Sequence, residues 1–229
     1  MDFSAFSGPA FWAALLSIIV ANILLSGDNA VVIALASRNL PVNQQKKAIF
    51  WGSAAAIILR VVLTVTAVQL LTLPYLKIIG AILLVYIGVQ LLADSDDEGE
   101  MEGSSNIWGA IRTILVADLV MSLDNVLAVA AAAQKGPEET RLALLIIGLG
   151  LSIPLIIFGS TMLLKVMDRF PIIITLGAGL LGLLAGGMLV EDPAIKESMQ
   201  AAFEDAHMIF EGIGVAIVIL LGTYLKKKN

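Results

Sequence analysis

Seven nearly uninterrupted apolar runs, separated by short charged or proline-containing breaks, account for most of this 229-residue chain. They fall at about 11–36, 48–71, 75–93, 107–133, 142–166, 172–190 and 208–225. Each is close to the ~20 residues that a helix needs to cross a hydrocarbon core. Inside lipid no water bonds the backbone, so a spanning segment must be a helix or part of a closed barrel. Barrel strands alternate apolar and polar residues in segments of ~10, whereas these runs are continuously apolar and rich in Leu, Ile, Ala and Gly. The predicted fold is therefore all-α, with seven transmembrane helices in a single domain over 1–229. Composition agrees: 59% of residues are hydrophobic, 14% are charged and the mean hydropathy is +0.94. No basic residue precedes the first run, and it continues through a polar cluster, so it is expected to be a retained helix and not a cleaved secretory signal.

Basic residues near helix ends set the expected orientation. Alternate breaks hold Arg38, Lys46, Lys47, Lys165, Arg169, Lys226, Lys227 and Lys228, against Lys77, Lys135, Arg141 and Lys196 on the other side. That excess predicts a multi-pass protein of the cell membrane with the N-terminus outside and the C-terminus in the cytosol. The segment 94–106, with Asp94, Asp96, Asp97, Glu98, Glu100 and Glu102, then forms an acidic cytosolic loop, and acidic residues weigh little in the orientation rule. Lys226–Lys228 would anchor the C-terminus to anionic headgroups. With no cysteine there are no disulfides and no thiolate metal sites.

A shift of 96 positions places Trp12 on Trp108, Asn22 on Asp118, Ser26 on Ser122, Asp28 on Asp124, Asn29 on Asn125 and Gly52 on Gly148. Farther along, Gly80 best meets Gly177 and Asp94 best meets Asp192, the drift that small loop insertions produce. Each copy holds three spans, an odd number, so the second enters the membrane from the opposite side. The expected architecture is thus two inverted three-helix repeats, 11–93 and 107–190, with the helix 208–225 outside them. Transporters built this way bind substrate near the midplane, where the copies meet.

Polar residues recur at matching depth in the two copies. Asn22, Ser26 and Asn29 share one face of the first helix, and Asp118, Ser122 and Asn125 share one face of the fourth. Asp28 and Asp124 sit beside these stripes, and Gly27 is placed to loosen the turn so that Asp28 and freed carbonyls aim at one point. A carboxylate at the bilayer centre costs ~2.5–3.5 kcal/mol on translocon scales, so three at matching depth argue for function. The predicted ligand set is Asp28, Asn29, Asp118, Asp124, Asn125 and Asn22, with hydroxyls from Ser26 and Ser122. Those hydroxyls serve equally well to join helices. Oxygen donors without thiolate or imidazole favour Mg²⁺, Ca²⁺ or Mn²⁺ over Zn²⁺ and Cu⁺. Met121 could add a thioether that shifts preference toward Mn²⁺, although packing is its default role.

Arg60 is the remaining buried charge, and the repeat has Ile156 in its place. It is expected to pair with Asp28 or Asp118, either as a stand-in for the cation or as a structural ion pair. Glu211, one turn into the last span, is expected near the outer interface as a vestibule or gate residue, and the single histidine, His207, sits at the outer end of that span. The glycines of the sixth run, Gly177, Gly179, Gly182, Gly186 and Gly187, together with Gly148 and Gly150 in the fifth, read as close-packing positions.

Duplicated Ser-x-Asp-Asn, an acid or amide six positions before the Asp (Asn22, Asp118) and seven spans together resemble the TerC family of integral membrane proteins, over nearly the whole chain. The resemblance implies Mn²⁺ efflux, with Asp28, Asp118 and Asp124 as the intramembrane acids and Asn29 and Asn125 beside them. The family often carries an acid where this chain has Asn22, which would leave the first cluster one charge lighter.

The expected function is secondary transport: export of a divalent cation, Mn²⁺ foremost, by alternating access and coupled to H⁺ or Na⁺. Two other readings are a membrane-embedded assembly or insertion factor docking through the acidic loop, and an exporter of a small organic cation or amino acid. Against the latter, neither 22–36 nor 118–133 contains an aromatic residue. No His-Glu motif, cysteine or Ser–His pairing suggests an enzyme, and no resident cofactor or nucleic-acid partner is expected. The expected partners are the bilayer and the transported ion, with a homo-oligomer or further membrane partner left open.

Overall fold

The computed structural model describes residues 8–24, 27–70, 73–93 and 107–228, with side chains given for all of these except 24, 66–70 and 124. The acidic segment 94–106 and Ser26 lie outside the described residues. What is described is helical and contains no strand. The helices are α1 (Pro9–Leu24), α2 (Gly27–Ser37), α3 (Val42–Leu70), α4 (Leu76–Ala93), α5 (Ile107–Gln134), α6 (Arg141–Gly150), α7 (Ile153–Arg169), α8 (Ile172–Val190), α9 (Lys196–Ala202) and α10 (Ala206–Lys228), with a 3-10 turn at Glu138–Thr140.

Among the described residues, five stretches are long and apolar enough to cross a membrane: Val42–Val65, Leu76–Ala93, Glu138–Arg169, Ile172–Val190 and Ala206–Lys228. Two further pairs pass the same length and composition test only when each is taken as one bent span. Pro9–Ile23 and Gly27–Ser37 meet at 48°, and Ile107–Leu123 and Asn125–Gln134 meet at 62°. Both bends fall at the repeated Ser-x-Asp-Asn cluster. The fifth run is also interrupted, because Pro154 has no N–H to continue the ladder. Ser152 covers part of that gap by donating its hydroxyl to the Gly148 carbonyl at 3.3 Å.

The burial pattern is that of a protein whose solvent is lipid. Trp12, Trp108, Tyr86 and Phe158 point outward, while Arg60 is the largest of the fully buried side chains. α5 is central: it packs against α1, α2, α3, α4 and α6. α1 also lies on α6, and α2 on α7. α4, α8 and α10 form a second group, joined to the first through contacts of α4 with α5 and of α8 with α2 and α7. Two helices in that group approach very closely. A Cβ on Gly214 of α10 would collide with the Gly182 carbonyl of α8, and one on Gly186 would collide with the Phe210 carbonyl, so side chains there would force the helices apart.

One end of this second group is fastened by Asp192, which is fully covered just beyond α8. Its carboxylate accepts backbone N–H bonds from Tyr75 (2.9 Å), Lys77 (3.0 Å), Ile78 (3.2 Å) and Ala194 (2.8 Å). It thereby caps the exposed donors at the start of α4 from a position far along the chain. Tyr75 takes the left-handed φ of 69° in that turn. Beside it Lys77 Nζ pairs with Glu191 at 3.0 Å. Burial alone would push the Asp192 carboxyl up, but the four N–H donors outweigh it and hold it below the ordinary carboxylate range.

A depressed carboxylate stabilises the fold above its unfolded value of ~3.9, and that contribution is lost as pH falls through the folded value. Asp192→Asn should therefore cost about 1–2 kcal/mol near neutral pH. Thermal melts in detergent should show the wild type losing its margin over this variant only as pH drops below ~4.

Candidate functional site

Polar residues of the two repeat copies, each just before a bend, meet at one arginine. α1 carries Asn22 on its last turn, α5 carries Asp118 and Ser122 on the turn before its bend, and α3 supplies Arg60. Arg60 Nε donates to Ser122 Oγ at 3.0 Å and Nη1 donates to Asn22 Oδ1 at 2.8 Å. Nη2 donates to Asp118 Oδ1, closing an ion pair. The other Asp118 oxygen accepts the Ser122 hydroxyl at 3.2 Å. Asn22 Nδ2 then donates to Ser152 Oγ in the turn between α6 and α7. Arg60, Asn22, Ser122 and Ser152 are each 1% exposed or less, and Asp118 is 6% exposed.

A buried guanidinium is tolerable only when its donors find acceptors and its charge finds an opposite charge. Both conditions hold here. The arrangement is also chemically suggestive. An amide oxygen, a hydroxyl and a carboxylate oxygen converge on a positive charge, which is the hard oxygen set that a divalent cation takes. Thr64, one turn on, donates its own hydroxyl back to the Arg60 carbonyl at 2.7 Å.

Asp28 opens α2, where the helix N-terminus favours a negative charge. Its Oδ1 accepts the Asn29 N–H at 2.8 Å. Arg60 and Asp118 both act on it electrostatically. Asn29 is buried, and Asn125 sits half-buried immediately past the bend of α5. The Asp124 side chain, the third expected carboxylate, lies outside the described residues. Among the described residues no three His, Cys, Asp or Glu side chains gather closely enough to hold a metal ion.

Glu211 belongs elsewhere. It faces His207 Nδ1 at 3.6 Å, and His207 Nε2 lies 3.5 Å from Glu191, near the Asp192 cap and apart from Arg60. An apolar cavity of about 270 Å³ between α4, α8 and α10 is lined by none of the expected ligands. Met121 is buried in the apolar core.

Sequence reasoning had Arg60 choosing between Asp28 and Asp118; the direct partner is Asp118. It missed Ser152 as the partner of Asn22. The available signal was a hydroxyl residue two positions before a proline inside an apolar run, where a helix break frees it to bond across helices.

The family described as integral membrane protein TerC family matches residues 7–229. An uncharacterized membrane protein of Bacillus subtilis (strain 168), YjbE, is 41% identical over 213 residues, which cover 93% of this chain and 95% of that protein. A second from the same organism, YceF, is 27% identical over 187 residues, covering 77% of this chain and 70% of the relative. The UPF0053 inner membrane protein YoaE of Escherichia coli (strain K12) is 29% identical over 139 residues, 52% of this chain and 27% of the relative. No solved structure matches the chain.

Breaking the buried pair from one side should be costly. Asp118→Asn leaves Arg60 uncompensated and is expected to lower stability by about 3–5 kcal/mol, whereas Arg60→Met with Asp118→Leu recovers most of that loss. A double-mutant cycle read by thermal unfolding in detergent measures the coupling.

Proposed function

The chain belongs to the TerC family of integral membrane proteins, and from that premise we propose that it is a secondary transporter exporting a divalent cation, with Mn²⁺ as the preferred cargo. The single observation that carries this reading is the convergence of Asn22, Asp118 and Ser122 oxygens on one buried positive charge, with Asp28 in electrostatic reach. Oxygen ligands at that depth suit a hard dication, and the resemblance drawn from the sequence favours Mn²⁺ among those available.

The inverted repeat fits this reading. Under the 96-residue shift, α1 with α2 corresponds to α5, and α3 corresponds to α6 with α7. The packing of α3 on α5 and of α6 and α7 on α1 and α2 is then one contact seen from either half, as a pseudo-two-fold arrangement requires. Both bent spans carry their polar cluster at the bend, which is where discontinuous transporter helices hold ions. In this scheme Asp28, Asn29, Asp118, Asp124, Asn125 and Asn22 form the cation pathway, Arg60 governs access to Asp118, and Glu211 belongs to the outer mouth.

With seven spans in the cell membrane and the basic C-terminus in the cytosol, an exported dication moves against the membrane potential. That costs ~2.3 kcal/mol per charge per 100 mV. Inward H⁺ or Na⁺ supplies the driving force, and Asp28, beside the Arg60–Asp118 pair, couples the two by giving up its proton to bind metal. Nothing described favours the assembly-factor reading, whose docking element, the acidic segment, lies outside the described residues.

Purified protein in proteoliposomes should carry Mn²⁺ at a rate dependent on a pH or Na⁺ gradient, and Asp28→Ala or Asp124→Ala should lower that flux more than tenfold while insertion is retained. Full flux in both variants rejects the site, and the absence of flux in the wild type rejects transport.

A further inference from the structure

A carrier working by alternating access must cross the membrane's midplane twice per cycle, once loaded and once unloaded. The unloaded step is electrostatically the harder one for a site made of carboxylates. Without its cation, an unpaired carboxylate at the centre of the bilayer is costly, and two in one neighbourhood repel each other. Carriers with such sites either return with another cation bound or exchange cargo one for one.

Here a cation is built into the chain. Arg60 rises from α3 and places Nε, Nη1 and Nη2 on Ser122, Asn22 and Asp118, groups drawn from both repeat copies. Its side chain is 1% exposed, and the repeat offers only Ile156 at the corresponding position, so the internal cation is single and asymmetric. A guanidinium does not give up its proton in proteins, so the compensation it provides is permanent across pH. A dication that uses Asp118 must displace the guanidinium from the same oxygens, and when the dication leaves, the guanidinium can close on them again.

We propose that Arg60 is a tethered counter-cation that neutralises Asp118 during the unloaded return, making this protein a net exporter and not an obligatory exchanger. This deepens the transport reading above and rests on it. The asymmetry then has a use: one half contributes the arginine that covers the other half's carboxylate, and the Asn22–Ser152 bond keeps α1, α6 and α7 in register around it. Without Arg60, Asp118 would cross only when carrying the dication, and the carrier would shuttle cargo in both directions with little net movement.

The distinction is measurable with radioactive Mn²⁺ loaded into proteoliposomes, following efflux into Mn²⁺-free buffer (net export) and into buffer containing unlabelled Mn²⁺ (exchange). Wild type is expected to show both at comparable rates. In Arg60→Gln the ratio of net export to exchange is expected to fall at least tenfold, and in Arg60→Lys, which keeps the charge but loses the fork, it falls by less. Exchange in Arg60→Gln serves as its own control for folding. If that variant is inactive in both modes, the ratio in Arg60→Lys decides, and an unchanged ratio there overturns the proposal. Equal loss of both modes in Arg60→Lys, or full net export in Arg60→Gln, likewise overturns it. Absence of either mode in wild type instead removes the transport reading on which the proposal stands.

Discussion

A charge inside a lipid-facing bundle persists only if something of opposite sign meets it, and in this chain the meeting of Arg60 with Asp118 organises the polar interior. The other polar contacts follow from it. Ser122 can offer its oxygen to Arg60 because its hydrogen goes to the second Asp118 oxygen. Asn22 can offer its amide oxygen because its nitrogen is taken by Ser152. Each group donates and accepts in a way that leaves one acceptor for the guanidinium. A network satisfied in this way is stiff, and removing any member strands the others.

The bends work with that network. A straight helix through either Ser-x-Asp-Asn cluster would keep its N–H groups in its own ladder. At the first cluster α2 starts a new helix at Gly27 with Asp28 in its first turn, where a negative charge is favoured, and at the second α5 bends by 62° beside Asn125 while remaining one helix. The second group of helices, α4, α8 and α10, holds its shape by other means: backbone contact at Gly182, Gly186 and Gly214, and the Asp192 cap at one end. The buried arginine network thus lies in the first group, while the second is held by close backbone packing and by polar contacts at its end.

Much of this was legible in the sequence because lipid imposes a strict rule. Continuous apolar length reads directly as helix, and the runs 75–93, 107–133, 172–190 and 208–225 correspond to α4, α5, α8 and α10 within a few residues. The beginning of α3 was read too late because Asn43, Gln44, Gln45, Lys46 and Lys47 are polar, yet they continue the same helix outward from the apolar span. The interruption between α6 and α7 was hidden by unbroken hydropathy, since Pro154 acts on hydrogen bonds and hydropathy does not register it. Contacts between distant residues were the hardest to read. That Arg60 needs an acid was clear; that it takes Asp118, with Asn22 and Ser122 completing the fork, depends on how α1, α3 and α5 pack. Asp192 illustrates the same point, because its four backbone partners lie mostly in a turn more than a hundred residues earlier.

The account's central claim is that the guanidinium of Arg60 and the transported dication share the same oxygens. Anomalous diffraction at the manganese absorption edge, from crystals grown with Mn²⁺, addresses it directly. The account predicts a manganese peak within bonding distance of an Asp118 carboxylate oxygen, with the Arg60 side chain withdrawn from it. A manganese peak elsewhere, with Arg60 still paired to Asp118, would contradict it.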